Sequence, residues 1–480
     1  MKDAYYWITQ LKNKQLSQQE LIYDIEQKVK QLNPQLNALI TFSSDEAIKS
    51  YNQCDNIEET LFLGLPVPLK LLGQNKQGWL DTSASRLFSN YYSPKNNYFV
   101  DKVESVGIIP LGQTNSPEFG FKNITDSMLH GVTHNPWQTD YSPGGSSGGA
   151  AAVVAAGIFP MAMASDGGGS IRIPASFCGL IGFKPSRGMM PVGPNGWRGW
   201  QGASINFGLT ISMRDTHLLF HALKGVHPAA PYQPVISSHV PKKNLKIAYC
   251  HASPVNTHVS MEAKEALDKT VKQLEQLGHS VVEINYPIDG QQLIRSYYAM
   301  NGGETAAMFD NIERSINRSV TIDDMELMSW GIYQYGKKLP AASYVNALQT
   351  WDVATFQMER LFETYDVFLS PTTATTAPRI DEVLVSNEIK DRLRRSEEMN
   401  ETTCAELIEE MFSKSLALTP YTQLANLTGQ PAISLPVHVS HQGLPIGVQL
   451  MAARGNDELL LSLGKELESQ CLFELPSYYS

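Results

Sequence analysis

Two glycine clusters that carry serine, and one lysine set among apolar residues, are the parts of this sequence best suited to chemistry. Gly144-Gly145-Ser146-Ser147-Gly148-Gly149 and Asp166-Gly167-Gly168-Gly169-Ser170 lie so close that eight of the chain's 35 glycines fall within the 26 residues 144–169. Glycine is used where the backbone must take positive φ or approach a ligand closely. Consecutive amides from Gly167 to Ser170 could form an anion-binding nest, the geometry that holds a tetrahedral oxyanion. On glycine content alone, two tight turns flanking a closely packed helix would explain the clusters equally well. The lysine is Lys70, the only charged residue in the run 60–75. A lysine in such a run commonly snorkels its ammonium to water. If it is instead desolvated, burial disfavours the charged form, and the neutral amine can serve as base to a serine nucleophile. Ser–Lys pairs are a known variant of the histidine-based triad.

The first 60 residues read as helices. Ser17-Gln18-Gln19-Glu20 fits a capping box, after which Leu21, Ile25, Val29 and Leu32 recur at helical spacing and Pro34 is expected to end the helix. Residues 60–215 change to short apolar runs, glycine clusters and loops, with an Ala-rich helix between the two clusters. The Pro-rich stretch 225–241 reads as a connection. Beyond it, a strand at 245–250, a helix whose apolar face is Ala263, Ala266, Leu267, Thr270, Val271, Leu274 and Leu277 and which ends at Gly278, and a strand at 280–284 make a β-α-β unit. Further strands are expected at 367–370 and 432–435, and a solvated, charge-rich helical segment at 382–411. These elements predict an α/β protein in which helices cover a parallel or mixed sheet.

The motifs resemble those of the amidase signature family. Family members carry a lysine after a G-V-P-V-type strand, a G-G-S-S-G-G loop, and a D-x-G-G-S-I-R-x-P segment followed by F-C-G-x-x-G-x-K-P. Here these are Gly64-Leu65-Pro66-Val67-Pro68-Leu69-Lys70, residues 144–149, residues 166–174, and Phe177-Cys178-Gly179-Leu180-Ile181-Gly182-Phe183-Lys184-Pro185. Weaker matches at residues 112–119, Asn135-Pro136-Trp137, 365–371, 425–432 and 443–449 extend the resemblance over nearly the whole chain.

The resemblance implies a large mixed, twisted β-sheet covered by α-helices on both faces, in one domain spanning 1–480: N-terminal helices at about 1–58, a signature core at about 60–215, and the rest of the sheet at about 240–480. It further implies an amidase without a cofactor, in which Ser170 is the nucleophile, Ser146 a bridging serine on a cis peptide, and Lys70 the general base. The amides of Gly167, Gly168, Gly169 and Ser170 would hold the oxyanion, and Gly144, Gly145, Arg172, Trp197 and Trp200 are candidate substrate contacts. Arg172 beside a glycine loop has a second reading, as the buried partner of Asp166. Trp197 and Trp200 suit either pocket lining or subunit packing. Three positions depart from the family pattern: Gly167 where Thr is frequent, Leu71 where Asp is frequent, and Gln113 where Lys is common. A homodimer is suggested by analogy alone, and the identity of the amide is not legible.

Other features point elsewhere and are weaker. Residues 144–148 also satisfy the G-x-S-x-G elbow of Ser-His-Asp esterases, but that elbow follows a strand, and here Pro143 and a polar run precede it. A glutaminase subunit of a tRNA-dependent amidotransferase is the closer rival, although the segments 119–122 and 172–175 look more like those of stand-alone amidases. His217 and His221 stand at i, i+4 without the Glu of H-E-x-x-H, so no metal is expected.

Composition fits this reading. The chain has 38 Lys+Arg against 48 Asp+Glu, a net charge of −10, which argues against direct binding of nucleic acid. Its five cysteines are scattered, so neither a disulfide framework nor a Cys-type zinc site is expected. No signal peptide is seen, and the apolar run 150–164 is broken by Pro160 and short of the ~20 residues a span needs, so a cytoplasmic protein is expected, acting on a small-molecule amide away from membranes. Length alone suggests about three domains, a prior the chain-wide motif match overrides. Charged residues are only 18%, and the uncharged runs around Lys70 and at 141–165 would keep the proposed relay dry.

Overall fold

A computed structural model describes residues 1–54, 56–235 and 244–479. Its centre is an eight-stranded mixed sheet, in spatial order Ser280–Glu283, Lys246–Tyr249, Val367–Pro371, Pro445–Met451, Ala432–Val439, Ile181–Lys184, Ile205–Thr210 and Ala162–Asp166. The first three strands run parallel and every later neighbour antiparallel. Every residue from Pro445 to Met451 is buried, which requires cover on both faces of that strand. A separate three-stranded sheet sets Ile108–Thr114 between Leu39–Thr41 and Leu65–Lys70.

The expected β-α-β unit is present. Helix Met261–Gln276 buries Ala263, Ala266, Leu267, Thr270, Val271 and Leu274, and Gly278 follows it at φ +89°, as a left-handed helix stop requires. The capping box at Ser17 and Glu20 also forms. Pro34, however, does not end its helix. The helix runs Gln18–Leu36 and stops at Asn37, whose φ is +47°. Asn33 Oδ1 accepts the amides of Ala38 and Leu39 at 2.9 and 2.8 Å, so the exit turn is fixed after the proline. The N-terminal region is also not purely helical, because Leu39–Thr41 pairs antiparallel with the strand around Thr114. Of the expected connection 225–241, residues 236–241 lie outside the described residues, and the remainder has no regular element. Among the described residues no helix is long and apolar enough to cross a membrane.

Candidate active site

Lys70 ends a strand in which all six residues are buried, and it pairs in parallel with Thr114. Its amide donates to Gln74 Oε1 at 2.7 Å, and Gln74 in turn donates from Nε2 to Ala164 O at 3.0 Å, tying the turn after the lysine to the edge strand of the large sheet. The side chain does not snorkel: Lys70 is 0% exposed. Its Nζ lies 2.8 Å from Ser146 Oγ and 3.0 Å from Ser165 Oγ. Burial pushes its pKa down to about 7, against the opposing pull of the Asp166 carboxylate. A lowering of this kind favours the neutral amine, the form that can accept a proton.

Ser146 is buried at the end of a cis Gly145–Ser146 peptide. Gly145 has no room for a side chain, since a Cβ would stand 2.5 Å from Ile124 O. The following Ser147 clamps three segments together. Its amide donates to Ser170 O at 3.3 Å, and its hydroxyl donates to Ser165 O at 3.1 Å and accepts from the Ser165 amide at 3.4 Å. Helix Gly148–Ala155, buried throughout, starts there.

Ser170 is half-buried in a turn built around Asp166. Asp166 accepts the amides of Gly169 at 2.7 Å and Ile171 at 3.1 Å. Burial would raise its pKa, but the charge and hydrogen bonds of Arg172, with help from Asn426, hold it at about 2. Ser170 lines a cavity of about 70 Å³ together with Gly145, Gly168, Phe121, Trp200 and Tyr297. Exposure thus rises from Lys70 and Ser146, both buried, to Ser170 on the cavity wall.

Several expected site residues take other roles. The Gly169 amide, expected in the oxyanion cradle, donates instead to Asp166 Oδ1 at 2.7 Å. Arg172 is not a substrate contact: it is 0% exposed, and its five donors are all used by the two oxygens of Asp166, by Thr422 O, by Gln449 Oε1 and by Asn426 Oδ1. Gly144 lies outside the cavity lining, at φ +85°, with Pro174 only 2.9 Å from where a Cβ would be. Trp197 also lies outside it, packed edge-on to Tyr98 at 5.9 Å and against His227 at 5.5 Å. Trp200 does line it, stacked on Phe121 at 6.1 Å and edge-on to Tyr297 at 6.0 Å.

Two departures from the family pattern acquire a physical reason. A Cβ at Gly167 would meet the Trp200 ring at 3.0 Å, so glycine here makes room for the tryptophan. Gly167→Thr should displace Trp200 and lower kcat/KM roughly tenfold or more, and Trp200→Ala in the same chain should relieve part of the loss; steady-state kinetics on the three variants checks this. Gln113 is buried and used at both ends, donating to Leu80 O at 2.7 Å and accepting from Thr41 Oγ1 at 3.1 Å, a pair of bonds that a lysine, which only donates, could not reproduce.

Sequence reasoning missed Ser165, Gln74, Phe121, Asn123 and Tyr297. Ser165 sits one residue before Asp166 and alternation along the strand could have placed it beside Lys70, whereas Tyr297 comes from the distant helix Gly290–Ile316 and carries no local signal. The histidine pair is joined by Glu458, with His221 Nε2 at 2.9 Å and His217 Nε2 at 3.6 Å from its two oxygens. Among the described residues this is the one trio whose ligand atoms are close enough to share an ion, and it lies outside the cavity of Ser170.

The Amidase family model matches residues 20–461. A lipoamidase from Enterococcus faecalis is 36% identical over 465 residues, covering 96% of this chain and 62% of that protein, so the chain spans less than two thirds of that relative's length. A 6-aminohexanoate-cyclic-dimer hydrolase from Paenarthrobacter ureafaciens is 30% identical over 484 residues, covering 97% of this chain and 94% of that one. The solved structure of 6-aminohexanoate cyclic dimer hydrolase complexed with substrate superposes with a TM-score of 0.88 at 28% identity, covering 99% and 98% of the two chains.

Proposed function

We propose that this chain, which belongs to the Amidase family, hydrolyses carbon–nitrogen amide bonds, and does so through Ser170, Ser146 and Lys70 by way of an acyl-enzyme. Neutral Lys70 takes the proton of Ser146 as Ser146 takes that of Ser170, and Ser170 Oγ forms a bond to the carbonyl carbon of a small-molecule amide. The amides of Gly167, Gly168 and Ser170 stabilise the negative oxygen that develops. When the tetrahedral intermediate collapses, the C–N bond breaks and the relay returns the proton to the departing nitrogen, leaving ammonia or an amine and an ester on Ser170. Water then attacks that ester, giving up a proton to the same relay; the bond from the acyl carbon to Ser170 Oγ breaks, the relay returns the proton to Oγ, and the carboxylic acid leaves. The observation that carries this reading is the contact of a fully buried lysine with the Ser146 hydroxyl at 2.8 Å.

A base held near 7 makes the acidic limb of the pH profile diagnostic. Lys70 is inactive while protonated, so kcat/KM should rise with pH through about 7 and then level off. Rates measured from about pH 5 to about pH 9 check this, and a profile falling over that interval contradicts the assignment. The nucleophile is tested by treating the purified chain with a sulfonyl fluoride and mapping the adduct by mass spectrometry. Modification of Ser170 with parallel loss of amide hydrolysis is expected. Loss of hydrolysis with the adduct on another serine overturns the assignment, and glutamine hydrolysis only in the presence of partner proteins would favour an amidotransferase subunit.

A further inference from the structure

The cavity beside Ser170 is small, about 70 Å³, but it shares a wall with a larger one of about 380 Å³. Lys122, Asn123, Phe412 and Ser415 line both. The second chamber is faced by Ile124, Leu327, Leu384, Val385, Leu393 and Met411, and at roughly 30 Å³ per water-sized group it has room for about ten of them. Its charged lining is three acids, Asp126, Glu326 and Glu382, against two lysines, Lys122 and Lys390, and Lys122 is already held 2.8 Å from Asp126 and 2.5 Å from Glu326. A carboxylate is therefore a poor occupant, and an apolar chain a good one.

The junction also carries unanswered acceptors. Asn123 Nδ2 donates to Ser415 O at 2.8 Å and to Thr419 Oγ1 at 2.9 Å. Because a main-chain carbonyl can only accept, this fixes which way the amide faces and leaves Oδ1 as an acceptor, buried and without a partner. Gln423, on the wall of the first cavity, repeats the arrangement: Nε2 donates to Thr419 O at 3.0 Å and Oε1 is buried and unpartnered. Two buried acceptors without donors are costly unless a ligand supplies N–H or O–H groups.

We infer that the substrate is an amide with an elongated, uncharged apolar arm that runs from Ser170 past Asn123 into the second chamber, and that carries an N–H group for Asn123 Oδ1 at the junction. This rests on the amidase reading above and adds the substrate's shape and polarity to it.

The test is a pair of homologous amide series assayed on the full chain. In one, the acyl chain grows from about two to about ten carbons on a fixed amine; in the other, the amine chain grows on a fixed acyl group. In the series whose arm enters the chamber, kcat/KM should climb by roughly fourfold per methylene before levelling, as burial of about 0.8 kcal/mol per CH₂ requires. Leu384→Trp, which fills the chamber, should lower the ratio of long-chain to short-chain kcat/KM by about tenfold or more, and Asn123→Leu should lower kcat/KM for the best long substrate. Short amides hydrolysed in both series with no dependence on length would overturn the inference while leaving the amidase reading intact. A preparation that hydrolyses no amide at all would count against the reading beneath it. The length series on the unmodified chain decides the matter even if a variant fails to fold.

Discussion

Ser170→Ala should lose roughly 10⁴–10⁶-fold in kcat and Lys70→Met roughly 10²–10⁴-fold, while the chain carrying both should be no slower than Ser170→Ala alone. The non-additivity is the sharper part of the expectation. A base that acts only by taking the nucleophile's proton, through Ser146, has nothing left to do once the nucleophile is gone. Two residues contributing separately would instead multiply their losses. Methionine is chosen because it fills the buried space of Lys70 without a charge, so the cost to folding is confined to the hydroxyls of Ser146 and Ser165 that lose a partner. Thermal unfolding followed by circular dichroism separates that cost from the kinetic one. Lys70→Met should also remove the inflection near 7 from the pH profile, and turnover at the parent rate in that chain would place the base elsewhere.

Burial and a lowered pKa do not by themselves pick out this lysine. Lys184 is equally buried, and burial, with the Arg172 charge adding to it, pushes its pKa down to about 7 as well. What separates the two is what each Nζ touches. Lys184 donates to Pro185 O at 2.8 Å, a carbonyl that has no proton to give, whereas Lys70 faces two hydroxyls. Both lysines stand in apolar runs and in motifs of the family, so only the role that the resemblance implies for Lys70 ranked them.

The same limit applies to the tryptophans, three positions apart in one loop. Trp200 has φ +51°, a left-handed conformation that is uncommon for a bulky residue, and its ring lies on the cavity wall, while Trp197 stays against Tyr98 and His227. No pattern of residue types announces that turn. Strands whose periodicity or flanking prolines were local, such as Val367–Pro371 and Ala432–Val439, were legible. The strand Leu39–Thr41 was not, because it exists through pairing with Thr114 and Gln113, more than seventy residues away. Trp200 was a candidate for the cavity wall, but its assembly with Phe121, Tyr297 and Phe412 from distant segments was beyond reach for the same reason.

Arg172→Met should destabilise the chain by about 3–5 kcal/mol, the range for breaking a buried ion pair, and should lower kcat in the fraction that remains folded. Asp166 would be left as a carboxylate at 0% exposure with its main countercharge removed. The neutral way out is protonation, which weakens its hold on the Gly169 and Ile171 amides and so loosens the turn that presents Ser170. The sign with pH follows from the lowered pKa of Asp166. In the parent chain its contribution to stability is complete above the unfolded value near 3.9 and is lost as pH falls through about 2, so the difference between parent and variant in urea unfolding should be large at neutral pH and shrink in acid. Arg172→Lys should rescue little. It restores the charge but offers three donors where five acceptors from Asp166, Thr422, Gln449 and Asn426 now converge. Full recovery in that lysine variant would mean that charge alone sets the Ser170 turn, and the hydrogen-bond geometry assigned to Arg172 would have to be abandoned.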